Sequence, residues 1–406
     1  MKTRRSLALF LALLGATLLL AACGSDGTWQ DRGILRDIQE SPSEGKEEET
    51  GPPAPPSAEI GVALPLTGRL APFGLAVRQG VNLALEERGE DGVRVVVLDT
   101  QGTEAGTRRA FQTLGARRTV LAALGPCTSG NARTAAKIAA SSGLPLLLPT
   151  ATAFDLTREK AEVFRICFTD PLQAAAMAIF ARRTLGLLSV GIVAVRDDPY
   201  SLSLAEAFQR AFSGLGGDIR FLQWFGEDLD GTVAANALAV MRPPPDAVFV
   251  PAYFEESARF IRKARKQGYA GTFLGGDGWH DGAFLRLGGV AVAGSYFTTH
   301  FIADDPSRES SAFSESFRER YGEAPGPFAA LGYDAGRLLG QIVTDRSVRR
   351  REDVRKALSA VEAFPGATGS ITLDENGNTM KDAMVAKATE EGLRFEERIR
   401  FGPRVR

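Results

Sequence analysis

Ile60-Gly61-Val62-Ala63-Leu64-Pro65-Leu66-Thr67-Gly68 decides the fold. Its first five residues are apolar or small without polar alternation, the pattern of a strand buried on both faces. Pro65 to Pro72 reads as a loop, and Gly74 to Glu87 as a helix with Val77, Val81, Leu83 and Leu85 as its apolar positions. A buried strand that leads through a short loop into a helix is the building unit of a parallel sheet.

Downstream, the unit recurs. Val93 to Leu98, Val120 to Leu124 and Pro145 to Leu148 read as strands, with helices around Ala105 to Leu114 and Asn131 to Ser141. A second series follows Phe168: helix Leu172 to Leu185, strand Val190 to Val195, helix Ser203 to Leu215 and strand Ile219 to Trp224. Helix Thr232 to Met241, strand Ala247 to Val250, helix Glu255 to Lys266 and strand Thr272 to Leu274 complete it. Alternation of this kind predicts an α/β protein of two lobes, each built on a parallel sheet covered on both faces.

Upstream, the material changes. Residues 24–58 contain Glu47-Glu48-Glu49 and Pro52-Pro53-Ala54-Pro55-Pro56 and almost no core-forming side chains. They read as a disordered tether, able to span ~115 Å fully extended or ~30 Å as a coil. Before it, Lys2, Arg4 and Arg5 precede an apolar run that ends at Leu20-Ala21-Ala22-Cys23. That order reads as an export signal over 1–22, and its end is similar to the lipidation box of bacterial lipoproteins, with Cys23 as the acceptor. The apolar run is shorter than the about 20 residues a membrane span requires, and no basic stop-transfer cluster follows. Plain secretion remains the alternative. The expected location is the cell envelope, lipid-anchored outside the cytoplasm, on the periplasmic face in a Gram-negative host.

Charge narrows the partners. Removal of 1–22 takes Lys2, Arg4 and Arg5 but no acid, so the formal charge of −1 becomes −4, which argues against nucleic acid. The remaining residues exceed what one core usually holds, in keeping with two lobes. Besides Cys23 there are Cys127 and Cys167, and a disulfide and two buried free thiols both stand as readings. The two histidines, His280 and His300, join no cysteine or carboxylate frame, so surface or hinge positions are expected and no metal or cofactor.

In open parallel sheets, ligands bind beyond the carboxyl ends of the strands. The loop residues there are Thr67, Phe73, Asp99, Thr128, Ser129, Thr150, Thr152, Asp197, Tyr200, Tyr253, Asp277 and Trp279. Hydroxyls, aromatics and a few carboxylates suit a small polar molecule whose anionic end is received by helix starts. Read locally, the threonines fit helix caps, the tyrosines fit packing, and Asp277-Gly278 fits a turn.

The opening stretch, with Phe73-Gly74 and Gly80-Val81, resembles the type I periplasmic solute-binding proteins of the branched-chain amino acid (Leu/Ile/Val) group. Leu124-Gly125-Pro126-Cys127-Thr128-Ser129, Pro149-Thr150-Ala151-Thr152-Ala153, Val163-Phe164-Arg165 and Phe273-Leu274-Gly275-Gly276-Asp277-Gly278 carry the resemblance further, in order, across about 59–400. It implies two Rossmann-like lobes with a ligand cleft between them. Lobe one would take 59–170 and return over 300–366, and lobe two would take 171–299 and return over 367–403.

The resemblance also implies site residues. Thr128, with neighbouring Ser129, would bind an α-carboxylate; Thr150 and Thr152 would clamp the ammonium; Tyr200 and Tyr253 would line the second lobe; Asp277 would receive the ammonium. Phe73 stands where relatives often carry tyrosine, Asp277 is shorter than the glutamate of many relatives, and Trp279 is expected to narrow or shield the cleft. Arg165 is expected at the cleft floor or in an interlobe ion pair. Arg349-Arg350-Arg351, followed by acids, reads as a solvated helix start, and Gly369 to Lys381 as a strand and turn with a partial likeness to a calcium loop.

Three functions compete. A tethered receptor for an amino acid or small amide would close on its ligand and present it to a membrane permease of the ABC importer type or to a sensor. A regulatory or structural envelope lipoprotein would use the same fold for protein contact, with the cleft filled by Phe73, Tyr200 and Trp279. A hydrolase lacks a Gly-x-Ser-x-Gly elbow and a suitably placed histidine, so no enzyme is expected.

Overall fold

A computed structural model describes residues 58–89, 93–226, 231–303 and 305–401. The export signal, Cys23 and nearly all of the tether lie outside the described residues. The first sheet has the order β2-β1-β3-β4-β5: β1 (Glu59–Leu64), β2 (Arg94–Asp99), β3 (Val120–Leu124), β4 (Leu146–Leu148) and β5 (Val163–Arg165), all parallel. β1 and β3 are buried along their whole length, as their unbroken apolar runs require, whereas the edge strand β2 is exposed at both ends. α1 (Ala71–Arg88), α2 (Glu104–Ala116) and α3 (Ser129–Ser142) connect these strands.

The second sheet holds β6 (Ser189–Ala194), β7 (Asp218–Trp224), β8 (Ala247–Val250), β9 (Thr272–Gly275) and β10 (Tyr296–Thr299) in parallel. Its helices are α4 (Asp170–Ile179), α5 (Pro199–Gly214), α6 (Thr232–Val240), α7 (Phe254–Lys266) and α8 (Gly282–Gly288). α4 was expected to continue to Leu185; instead its last turn, Phe180–Thr184, widens into a π-helix.

The remaining chain divides its packing between the two sheets. α9 (Arg308–Tyr321), α10 (Pro327–Thr344) and α11 (Arg351–Ser359) follow β10, and α10 lies along α1. The helices meet through glycines: a Cβ placed on Gly80 would stand 1.9 Å from the Ala329 carbonyl oxygen, and one on Gly332 2.2 Å from that of Val77. A short hairpin, β11 (Phe364–Gly366) with β12 (Gly369–Ile371), precedes β13 (Ala383–Thr389) and β14 (Gly392–Ile399).

β13 and β14 correct the expectation of a wholly parallel second sheet. They add to β10 as an antiparallel ribbon, closed by a tight turn between Thr389 and Gly392. Antiparallel neighbours need only such a turn, whereas each parallel neighbour needs a helical crossover.

Three local readings also change. Arg351 is no solvated helix start: its guanidinium donates to the carbonyls of Val120, Ser142, Leu114, Gly115 and Arg117, which ties α11 to the ends of α2 and α3. Asp374 accepts from the Asn376 and Asn378 N–H groups, so the calcium-like stretch folds as a self-bonded turn. Cys127 and Cys167 are buried free thiols, which decides between the two readings.

Candidate functional site

The carboxyl ends of the strands bring most of the candidate residues to one place. Thr128 precedes α3 in an extended conformation, and its side chain makes no capping bond. The first-turn N–H groups of α3 have no carbonyl one turn earlier to bond, so this end of the first sheet presents donors and a hydroxyl to an anion. Ser129 is spent differently: its hydroxyl accepts from the Ala153 N–H at 3.1 Å. The Thr150 hydroxyl donates to the Cys127 carbonyl at 2.7 Å, and the Thr152 carbonyl accepts from the Asp170 N–H at 2.9 Å. These three bonds fix the 150–154 loop beside α3 and join it to α4.

Arg165 holds the same loop from beneath. It is fully buried, and its guanidinium donates to the carbonyls of Ala151, Ala153 and Phe154 at 3.3, 2.8 and 3.2 Å. The expected interlobe ion pair is absent among the described residues, because the backbone carbonyls occupy the guanidinium. Burial pulls Arg165 below its usual range, against the pull of Cys167 and of the nearby acids Asp170, Asp155 and Asp374.

Asp277 forms the opposite pole. It is 3% exposed and follows β9 in a single turn of 3-10 helix. Oδ1 accepts from Gln173 Nε2 at 3.0 Å, and His300 Nε2 lies 3.1 Å from Oδ2. Burial lowers the tendency of His300 to protonate, and a neutral ring beside a carboxylate carries its hydrogen on Nε2. Phe168 stacks on the imidazole with centroids 3.6 Å apart. His300 is therefore no surface residue; it orients the acid.

Aromatic rings wall the space between the poles. Tyr200 and Tyr253 stack with centroids 5.0 Å apart, and the Tyr200 hydroxyl accepts from the Gly278 N–H at 3.1 Å. Phe73, on α1, contacts Tyr253 at 5.9 Å, Phe254 at 5.5 Å and Phe328 at 4.5 Å, so helices tied to both sheets meet there. Burial pushes both tyrosines well above the normal phenol range, so they serve as neutral hydrogen-bonding walls.

Two of the expected residues leave the cleft, and a third lines an opening at the strand ends. Trp279 is fully buried in the core, stacked on Phe284 and near Phe297, so it neither narrows nor shields the site. Asp99 binds the Thr67 hydroxyl and the N–H groups of Leu66, Thr67 and Gln101, a purely local turn. Asp197 stays at the strand ends, where it lines an opening of about 620 Å³ with Arg69, Arg196, Asp198, Tyr253 and Glu256. Asp170, Gln173 and His300 were missed as site residues. The signal for the first two was an acid and an amide one helical turn apart at a helix start, which also fits plain capping.

Comparison with known proteins bears on the fold and the family. The profile of the periplasmic binding protein family matches residues 57–392. The Leu/Ile/Val-binding protein BraC3 of Rhizobium johnstonii is 27% identical over 343 residues, covering 82% of this chain and 92% of its own. The crystal structure of the leucine binding protein LivK from Thermotoga maritima superposes with a TM-score of 0.80 at 32% identity, over 84% of this chain and 98% of that one. The branched-chain amino acid transporter substrate binding protein LivJ from Streptococcus pneumoniae, solved in complex with isoleucine, gives 0.77 at 26% identity, over 84% and 99%. With two α/β lobes, a cleft at their strand ends and a match across the whole folded body, the chain belongs to the periplasmic binding protein family.

Proposed function

We propose that the protein is an extracytoplasmic receptor for a free α-amino acid, with leucine, isoleucine and valine as the first ligands to test. One observation carries this reading: hydrogen bonds run from the donor-rich start of α3 to the buried Asp277 carboxylate, through Ser129, the 150–154 loop, Asp170 and Gln173, beside the stacked Tyr200 and Tyr253 rings. An α-amino acid carries the matching charges, a carboxylate for the first pole and an ammonium for the second. Thr128 and the α3 N–H groups take the carboxylate; Thr150 and Thr152 line the loop beside it; Asp277 takes the ammonium; Phe73, Tyr200 and Tyr253 enclose the apolar side chain. Ser129 supports the loop instead of touching the ligand.

The lobes follow the sequence partition over 59–170 with 300–366 and over 171–299, but the return to lobe two comes later than 367: β12 pairs with β11, the Thr368 N–H bonds to Asp334 on α10 and the Arg165 N–H to the Gly377 carbonyl, so β13 is the first returning element. The packing of α10 on α1 and the addition of β13 and β14 to the second sheet support it. Closure of the lobes excludes water from the ligand and creates the surface that a membrane permease reads. The export signal, a lipid on Cys23 and the tether hold the receptor at the envelope membrane; they rest on the sequence pattern and are tested by intact mass and globomycin-type inhibition of processing. A role as regulatory lipoprotein with a filled cleft loses Trp279 from the filling set.

Thermal denaturation with each of the twenty amino acids tests the reading. A ligand that binds only the native state raises the midpoint, by about 2.7 kcal/mol of stabilisation at a hundredfold excess over Kd. No shift with any of them, for the folded protein, overturns it.

A further inference from the structure

Two buried carboxylates share one side-chain amide. Gln173 Nε2 donates to Asp170 Oδ1 at 2.9 Å and to Asp277 Oδ1 at 3.0 Å, so both of its hydrogens end on acids. Its Oε1 accepts from the Asp277 N–H at 3.2 Å and from the Thr298 hydroxyl at 2.8 Å, which fixes the amide in that orientation. Asp170 and Gln173 are fully buried and Asp277 nearly so.

No cation contacts this pair among the described residues. Arg165 bonds three backbone carbonyls through Nη1 and Nη2, while its buried Nε makes no hydrogen bond; it feels the charge of Asp170 but forms no ion pair with it. His300 faces Asp277 as a neutral ring, and Lys381 donates to Thr368 beside Asp334. The other groups around Asp170 are the Cys167 thiol, the Tyr200 and Tyr253 phenols, and the hydroxyls of Thr152 and Ser203. Burial beside a second carboxylate makes Asp170 the acid that holds its proton more readily than a free carboxyl. Asp170 Oδ1 takes the Gln173 hydrogen, which leaves Oδ2, beside the Ser203 and Thr152 hydroxyls, as the oxygen that carries the proton.

We propose that capture of an ammonium group at Asp277 expels a proton from Asp170, with the Gln173 amide as the link, so that ligand affinity and proton release are coupled. The inference rests on the ammonium reading of Asp277. Burial pushes Asp170 up to about 7, the hydroxyls of Ser203 and Thr152 pull it back, and the charge of Asp277 pushes it up again. An arriving cation reverses that last push. The free protein thus holds the proton below neutrality and the complex does not, so affinity rises with pH toward about 7 and levels above it.

The test is calorimetric titration with L-leucine at pH 7.0 in phosphate and in Tris, whose ionisation heats differ. We expect between zero and one proton released per leucine bound, a Kd that falls about tenfold from pH 5.5 to 7.5, and a flat profile in Asp170→Asn. Equal heats in the two buffers with a constant Kd, or proton release that persists in Asp170→Asn, overturn the inference while leaving the receptor reading intact. If Asp170→Asn does not fold, the buffer comparison on the unaltered protein decides alone. Failure of all twenty amino acids to bind at pH 8.0, where capture is strongest, overturns the receptor reading and this inference with it.

Discussion

Arg69 Nη1 lies 2.8 Å from Glu256 Oε1, joining the loop ahead of α1 to the first turn of α7. Glu255 Oε2 adds a second carboxylate at 3.6 Å. The pair links the loop after β1 of the first sheet to α7 of the second, so on the proposed hinge motion it belongs to the arrangement in which the two are close. Arg69 is about half exposed while Glu256 is buried, which makes the contribution larger than that of a free surface pair and still sensitive to salt.

Arg69→Ala should therefore raise the leucine Kd by roughly three- to tenfold, mainly through faster release. The difference should shrink at high salt, where the unaltered protein has already lost part of the pair. Stopped-flow dissociation at two salt concentrations checks this, and identical release rates at low salt would show that the pair does not hold the closed form.

On the proposed ammonium role of Asp277, Asp277→Asn should cost binding far more, on the order of a hundredfold, because it removes the charge that would face the ammonium. The amide keeps the size of the carboxylate, so the thermal midpoint without ligand should move little. A Kd within threefold of the unaltered protein would remove Asp277 from the ligand.

Which of these residues the sequence betrays depends on the range of the interaction that places them. β1, β3 and β8 were readable because a strand covered on both faces must be apolar throughout, and α7 because its charged and apolar faces separate cleanly. β13 and β14 escaped because β14 is largely charged and exposed and because β10, the partner of β13, lies far away in sequence. Thr128 and Asp277 could be placed at strand ends by rule. His300 could not, since its role comes from one contact with a residue 23 positions away. Trp279 misled for the opposite reason: its neighbour Asp277 faces the site, but the single helical turn between them rotates the indole into the core.

Cys127 and Cys167 should resist alkylation in the folded protein. Burial pushes both thiols up to about 12, so the reactive thiolate is scarce and reagents have no access. Peptide mapping after iodoacetamide at pH 8 should find both unmodified in buffer and both modified in guanidinium. Ready labelling of either in buffer, or a disulfide-linked peptide, would contradict the packing.

The glycines where α1 crosses α10 give a paired prediction. Gly80→Val and Gly332→Val each drive a side chain into the facing carbonyl oxygen, which neither helix can yield without separating. Each should lower the midpoint by many degrees or prevent folding. Gly214→Ala, at the last residue of α5 with open space around its Cβ, should instead stabilise by about 0.5–1 kcal/mol, readable as a midpoint rise of a few degrees at most.

Asp170 predicts how the stability of the unliganded protein varies with pH. In the unfolded chain this carboxyl loses its proton near 3.8, whereas burial in the fold delays that loss to about 7. Between these values the native state holds a proton that the unfolded state has released, so this group makes stability fall as pH rises through the window. The full difference is present above pH 7 and amounts to at most about 4 kcal/mol, reduced by relaxation around the charge. Asp170→Asn removes the titration while keeping the shape of the side chain. Without ligand, the midpoint of the variant relative to the unaltered protein should climb steadily from pH 5 to pH 8, by several degrees in total. A constant offset across that range would mean that Asp170 stays ionised in the fold, held so by the nearby Arg165 charge.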